Sequence, residues 1–343
     1  MLAEKNVLIT GGGGSVGRAL TERVLDRNPN VVRILDQSEA ALARLQRTVG
    51  NDRCRFLLGD VRDRERLDRA MSNVDIVIHA AAMKHVDVAE YNPFEAVKTN
   101  VLGQQNVIDA AIDAGVDRFV FTSSDKAVEP ANTMGTTKLL GERLTTAGNK
   151  YSGGHDITLA SVRFGNVIDS SQSVVPLFRD QIRDGGPVTL TDERMTRFFL
   201  TYVDIADLVL GALEHANGGE IFLSKMAAVR IDDLATAMVE SLAPAYNYDP
   251  DDIDIEVVGR RTGETLHEEI MTARESERAF ESDDLYAILP DTENDPYYDY
   301  TGDLDGFEPV NGITRSSADA DKLSTDEIVT LLERNGALEA TYE

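Results

Sequence analysis

Short apolar runs recur along the first half of the chain. Between them lie stretches in which apolar positions return every three or four residues. NVLIT (6–10), VVRILD (31–36), RFLLGD (55–60), DIVIHAA (75–81), RFVFTSS (118–124) and TLASVRFGNV (158–167) read as strands. Their near-continuous apolar character is that of strands covered on both faces. SVGRALTERVLDR (15–27), EAALARLQRTV (39–49), RDRERLDRAM (62–71) and PFEAVKTNVLGQQNVIDAAIDAG (93–115) carry helical spacing. The last is opened by Pro93 at a first-turn position and closed by Gly115. This alternation predicts an α/β fold: a Rossmann-like, doubly wound parallel sheet with right-handed crossovers.

After residue 168 the pattern loosens. A helix over 202–216, a strand over 219–225, a helix over 230–242 and a strand over 254–259 predict a smaller α/β lobe interleaved with the end of the first domain. The expected division is 1–167 plus 200–226 for the large domain, 168–199 plus 227–282 for the lobe, and 283–343 for an acidic, partly ordered C-terminal extension. No lysine or arginine lies between Arg278 and Arg315, but Tyr286, Tyr297, Tyr298 and Tyr300 argue that part of this stretch packs on the body. A last helix is expected over 325–336, with Thr325 as N-cap and Gly336 as C-cap.

Charge narrows the function. Sixty acidic residues against 34 basic ones give a formal net charge of −26. Such a surface repels nucleic acid and anionic membranes, and suits a halophilic protein kept soluble by hydrated carboxylates. Only eight residues are lysines, so Lys84, Lys98, Lys126, Lys138 and Lys225, all in motif-like stretches, are singled out. Cys54 is the only cysteine, which excludes an intrachain disulfide and a cysteine-based zinc site. The scattered histidines give no metal-ligand spacing. No apolar run is long enough for a bilayer span, and with a strand expected from the first residues no signal peptide is expected. A cytoplasmic location is expected.

TGGGGSVG (10–17) joins the first strand to the first helix. Gly11, Gly14 and Gly17 supply, in order, positive φ, close approach to a pyrophosphate and tight helix–strand packing, with Ser15 and Val16 at the helix start. Asp36 ends the second strand, where a carboxylate accepts the ribose hydroxyls and repels a 2′-phosphate; its other reading is a loop cap. Gln37 and Ser38 follow without an arginine, which favours NAD over NADP. Asp60, Val61 and the run Ala80, Ala81, Ala82 end the third and fourth strands, where the rest of the cofactor must pass. In SSDKAVEPANTMGTTK (123–138), a carboxylate and an amine stand side by side at a strand end, Asp125 and Lys126, with Lys138 on the next helix.

Longer strings carry a family resemblance. HAAAMKHVDVAEYNPFEAVKTNVLG (79–103), SSDKAVEPANTMGTTK, RFGNVIDSSQSVVPLF (163–178), ERMTRFF (193–199), GEIFLSK (219–225) and GRRTGETLHEEI (259–270) resemble the UDP-N-acetylglucosamine 4,6-dehydratases, within the extended short-chain dehydrogenases/reductases. The resemblance implies a UDP-sugar substrate, bound NAD and a homo-oligomer. It implies an NAD-binding role for the large domain and a UDP-sugar-binding role for the lobe. It makes Asp125 the acid and Lys126 the base of water elimination, with Ser124 beside them and Lys138 on the nicotinamide ribose. Met134 stands where most relatives have a proton-transferring tyrosine. Asn100, Lys84 and Val167 join the cofactor set. Lys84, His85, Asn166, Arg197, Lys225, Arg261 and Glu264 form the substrate set. Two other readings stay open: a UDP-hexose 4-epimerase, and a non-catalytic NAD-binding regulator. An isolated Asp–Lys pair prefers to be doubly charged, so the dehydratase reading requires a site that favours the neutral amine.

Overall fold

The computed structural model describes residues 1–170, 173–260, 263–292, 300, 302, 304–310 and 312–339. The strands are β1 Asn6–Thr10, β2 Val31–Asp36, β3 Cys54–Leu58, β4 Ile76–His79, β5 Arg118–Thr122, β6 Thr158–Val162, β7 Asn166–Val167, β8 Val188–Leu190, β9 Thr196–Leu200, β10 Ile221–Ser224, β11 Ala228–Arg230, β12 Ile255–Val257, β13 Ala279–Glu281, β14 Leu285–Ile288 and β15 Glu308–Pro309. The helices are α1 Ser15–Leu25, α2 Glu39–Val49, α3 Arg64–Met71, α4 Val86–Tyr91, α5 Pro93–Val97, α6 Gln104–Ala114, α7 Thr133–Tyr151, α8 Val174–Arg183, α9 Tyr202–His215, α10 Ile231–Leu242, α11 Ala273–Ser276 and α12 Thr325–Arg334.

Two compact units divide the chain. The first comprises Met1–Phe164, Val203–Lys225 and Met271–Asn311. Its ten-stranded sheet has the order β15-β13-β14-β10-β6-β5-β4-β1-β2-β3. From β3 to β10 every neighbour is parallel, and β14, β13 and β15 continue the sheet antiparallel. The strand order reverses between β1 and β4, the place where open α/β sheets bind ligands at their carboxyl ends. Alternate residues face opposite ways. Val7, Ile9, Ile76, Ile78 and Val120 pack with Leu20 and Val24 of α1 and with Leu208 and Ala212 of α9. Leu8, Val77, Phe119 and Phe121 pack with Leu67 and Met71 of α3 and with Val107 and Ala111 of α6. Burial on both faces is why these strands read as unbroken apolar runs.

The second unit comprises Gly165–Tyr202, Met226–Ile270 and Gly312–Glu343. It holds a three-stranded sheet, β11-β9-β7, and the parallel pair β12 and β8. Phe178, Leu234, Met238, Leu242, Ile328 and Leu332 belong to its core.

The structure departs from the sequence reading at several points. The helix expected over 93–115 is interrupted by a π-helical turn at Lys98–Gly103 before it resumes as α6 and ends on Gly115, φ 71°. The strand expected over 158–167 is two strands in two sheets, broken over residues 163–165. A Cβ on Gly165 would stand 2.6 Å from the Phe198 carbonyl oxygen, so the backbone can turn there only without a side chain. The expected lobe boundary at 282 and the separate extension over 283–343 are replaced by a division of that chain between the two units. The pair β13 and β14 covers the edge of β10, which would otherwise present unpaired backbone, while α12 sends Ile328 and Leu332 into the second core. The N-cap of α12 is Ser324, in a capping box with Glu327, rather than Thr325. Tyr286 lies in β14, and the Tyr300 hydroxyl donates to Glu220 Oε1 at 2.8 Å. Tyr297 and Tyr298 lie outside the described residues. Among the described residues no helix is long and apolar enough to cross a membrane.

Candidate active site

Gly11 leaves β1 at φ 68°, and a Cβ there would stand 2.6 Å from the Ala81 backbone. A Cβ on Gly17 would lie 2.4 Å from the Gly11 carbonyl oxygen, so that glycine lets α1 press on the loop. Gly14, the N-cap of α1, is different: its Cβ position meets only the Gly11 oxygen, at 3.4 Å, and Gly14 and Ser15 are exposed. The result is a side-chain-free cradle at the N-terminus of an 11-residue helix, which fits a pyrophosphate. Val16 packs against the core beneath it. From β2, Asp36 Oδ2 accepts from the Gly13 N–H at 2.9 Å and Oδ1 from the Ser38 N–H at 2.8 Å. Ser38 caps α2, and Gln37 is exposed. Asp60 is paired with Arg62 at 2.6 Å, and that hydrogen bond lowers its pKa. Val61 is buried against Gly103. Ala80 donates to the Thr10 carbonyl, and Ala81 and Ala82 continue past the cradle, half-buried.

Asn100 sits in the π-helical turn, buried. Its carboxamide oxygen accepts from the Met83 N–H at 2.7 Å, and its nitrogen donates to the Met83 carbonyl at 3.0 Å and the Thr137 hydroxyl at 2.9 Å. One side chain thus ties the segment after β4 to α7. Such π turns recur at functional sites.

At the end of β5 the chain turns through a 3₁₀ segment, Asp125–Ala127, capped by Ser124. Asp125 Oδ1 accepts from the Ser124 hydroxyl (2.8 Å), the Lys126 N–H (2.8 Å) and Lys126 Nζ (3.1 Å). Asp125 Oδ2 is buried and accepts no hydrogen bond among the described residues. An unpartnered carboxylate oxygen is costly, and a proton-bearing ligand group is what would satisfy it.

Asn132 caps α7 on the Gly135 N–H. Met134 is buried with Ala89 and Ala96, against Met83 and Val86. One turn on, Lys138 Nζ donates to the Thr122 carbonyl at 2.7 Å and lies 4.7 Å from the Phe121 ring centroid. Burial lowers its pKa to about 8, and the Glu142 carboxylate opposes that shift. His79, at the end of β4, stacks on Phe121 at 5.8 Å, and its Nδ1 lies 2.6 Å from the Thr10 hydroxyl. Burial, helped by Lys138, lowers its pKa to about 3 and keeps it neutral. The sequence reading missed His79, Glu142 and Arg163; each was hidden in or beside an apolar run.

The expected substrate residues are divided between the two units. Lys84 is exposed, yet crowded enough that desolvation lowers its pKa. His85 holds the N-cap position of α4, its pKa lowered by burial and by Lys84. Lys225 is bound to Glu281 at 2.7 Å and lies 5.2 Å from the Tyr286 ring centroid, on the antiparallel edge of the sheet. Asn166, Val167, Arg197 and Glu264 belong to the second unit. Asn166 reaches the Phe198 carbonyl at 3.5 Å, and Val167 is buried. Arg197 donates to the carbonyls of Thr196, Thr265 and Leu266 and stands 3.4 Å from Glu268, an engaged and buried guanidinium. Glu264 Oε1 accepts from the Thr191 hydroxyl at 3.3 Å. Arg261 lies outside the described residues.

A parallel sheet that reverses its order beside a side-chain-free cradle, with a half-buried ion pair at the end of β5, defines a Rossmann-like α/β protein. The chain belongs to the family described as polysaccharide biosynthesis protein, whose profile matches residues 7–290. It is 45% identical to an uncharacterized membrane protein of Methanocaldococcus jannaschii, over 96% of this chain and 95% of that one. It is 42% identical to the inverting UDP-N-acetylglucosamine 4,6-dehydratase of Campylobacter jejuni (84% of each chain) and 38% identical to the UDP-glucose 4-epimerase of Rickettsia rickettsii (88% and 87%). Among solved structures it is similar to Pen from Bacillus thuringiensis, at 39% identity and TM-score 0.89 over 97% of this chain and 98% of that one. It is also similar to a dTDP-glucose 4,6-dehydratase from Streptomyces venezuelae with NAD bound, at 26% identity and TM-score 0.67 over 76% and 86%.

Proposed function

We propose that the protein is an NAD-dependent nucleotide-sugar 4,6-dehydratase acting on UDP-N-acetylglucosamine or a close UDP-hexose. The observation that carries this reading is the adjacent pair Asp125–Lys126, the carboxylate buried with one oxygen that accepts no hydrogen bond among the described residues, at the carboxyl end of a central strand. A 4-epimerase needs proton and hydride chemistry at C4 only. Removal of water across C5 and C6 needs an acid and a base one sugar carbon apart, which neighbouring residues supply.

Gly11, Gly14 and Gly17, with the helix start at Ser15 and Val16, would hold the cofactor pyrophosphate; Asp36 would hold the adenosine ribose and Lys138 the nicotinamide ribose. Bound there, NAD would supply the hydride chemistry, as acceptor for C4 and donor for C6. Asp125, as carboxylate, takes the C4 hydroxyl proton, because Met134 has no proton to exchange. Lys126, as neutral amine, takes the C5 proton, which the C4 ketone has made acidic. Asp125 then gives its proton to the departing C6 hydroxyl, and Lys126 returns one to C5. The C4 hydroxyl proton thus leaves in the water, and both side chains end as they began. The resting ion pair holds one proton more than this cycle uses, so Lys126 must release it first; positive charge at Lys138 favours that release.

The test is incubation of purified protein with UDP-N-acetylglucosamine in deuterated water at high salt, read by mass spectrometry and NMR. Loss of one water with deuterium at C5 is expected. An isomer of unchanged composition would mean epimerisation, and no conversion would mean a non-catalytic role.

A further inference from the structure

Lys138 and Glu142 stand one turn apart on α7 and grip consecutive residues at the end of β5. Lys138 donates to the Thr122 carbonyl, and Glu142 Oε1 accepts from the Ser123 hydroxyl at 2.6 Å. Those two residues lead directly into Ser124, Asp125 and Lys126. Glu142 is itself held from behind. Arg163, 1% exposed at the end of β6, donates to Glu142 Oε1 at 3.0 Å and Oε2 at 2.7 Å. The far side of the same guanidinium donates to Glu275 Oε1 at 3.0 Å and Oε2 at 3.2 Å. Glu275 also accepts from the Thr272 N–H, closing the cap of α11.

Two carboxylates on one guanidinium leave a surplus negative charge, because arginine stays protonated. In a site with little water such a surplus is expensive unless a cation answers it. Lys138 is the cation one turn away. We propose that Glu142 is a positioning residue: clamped between Arg163 and Ser123, it holds the end of β5 in one arrangement and its charge favours the Lys138 ammonium one turn away, with Glu275 setting that charge from behind.

Other groups facing Lys138 cannot do this. His79 is neutral, Phe121 and Thr122 offer a ring face and a carbonyl, and Asp125 is engaged by Lys126. Asp87, Glu90 and Lys98, on elements packed against α7, are exposed. The consequence for turnover rests on the proposed dehydratase reading; the charge state of Lys138 does not.

The test is an NMR titration of the full chain labelled with carbon-13 at lysine Cε. With eight lysines in the chain, the Lys138 signal is identified by its loss in Lys138→Arg. A midpoint near 8 is expected. Glu142→Gln should lower it by about one pH unit or more, the size of effect an adjacent opposite charge has. Glu275→Gln should lower it by less, since Arg163 then neutralises Glu142 more fully. Glu142→Asp, which keeps the charge, should bring the midpoint back toward the wild-type value. An unchanged midpoint in Glu142→Gln overturns the proposal, as does an equal fall in the Asp and Gln variants, which would mean packing. If Glu142→Gln does not fold, an unchanged midpoint in Glu275→Gln overturns it alone. A shifted midpoint in a protein that never converts a UDP-sugar would sink the dehydratase reading and leave this one standing.

Discussion

Lys126 Nζ lies 3.1 Å from Asp125 Oδ1, yet the two side chains differ in access: the lysine is 23% exposed and the aspartate 1%. Lys126 is open on one side, while Asp125 is buried with one oxygen that accepts no hydrogen bond among the described residues. In the proposed cycle Asp125 handles the C4 proton before water leaves. Asp125→Asn should therefore abolish C4 oxidation and dehydration together, with a loss of about 10²–10⁴-fold, the usual worth of a positioned acid–base group. Lys126→Met should block only the later steps. Absorbance of reduced cofactor with substrate present separates the two: absent in the first variant, accumulating in the second. Reduced cofactor in Asp125→Asn would mean that another group takes the C4 proton.

The Lys138 ammonium is buried at a cost that pH can read. Its pKa falls from 10.5 to about 8 on folding. Between those values the unfolded chain binds more protons than the folded one, so stability from this group rises with pH across the window. Lys138→Met should lack this rise, so its stability relative to wild type should fall by about 3 kcal/mol at most as pH rises from about 8 to about 10.5. Urea unfolding at several pH values measures it. Cofactor affinity should run the other way in the wild type, weakening as pH passes through about 8 and the ammonium is lost.

Asp36 serves the cradle before any ligand arrives, since its two oxygens hold the Gly13 and Ser38 N–H groups. Asp36→Ala should weaken NAD binding by about tenfold or more, because charge-assisted hydrogen bonds of about 1.5–3 kcal/mol are lost. NADP should be disfavoured less than before. Calorimetric titration with both dinucleotides checks this. Unchanged NAD affinity would place the ribose elsewhere.

What could be read from the chain follows the range of the forces involved. The turn at Gly11 and the close packing at Gly17 were legible because that geometry is decided within one strand–loop–helix unit. The Asp125–Lys126 pair was legible because the partners are adjacent. The Arg163 clamp was not: its carboxylates come from 21 and 112 residues away, and nothing near Arg163 announces them. The edge strands β13 to β15 were hidden by acidic composition, since they are strands by pairing, β14 onto β10, β13 onto β14 and β15 onto β13, rather than by apolar alternation. The π-helical turn at Asn100 was hidden because apolar spacing continues through it. Arg197 could be read as a clamp from its place in a string, but its fork is already occupied by carbonyls.

Gly135 offers a test of placement that leaves every acid, base and charge intact. It follows Met134 in the first turn of α7, where the helix passes directly over the 3₁₀ turn. A Cβ there would lie 2.1 Å from the Lys126 carbonyl oxygen and 3.0 Å from its carbon. Backbone cannot yield as a flexible side chain can, so Gly135→Ala must push the turn that carries Asp125 and Lys126 away from α7. Overpacking of this kind costs about 1–3 kcal/mol. Displacement of an acid–base pair by about 1 Å can cost 10²-fold in rate. The variant should fold, and dehydration should fall by about that factor, well beyond any loss of NAD affinity. Dinucleotide titration and product mass on the same preparation make the comparison. Full turnover in Gly135→Ala would mean that the tight seating of Lys126 under α7 has no part in the chemistry.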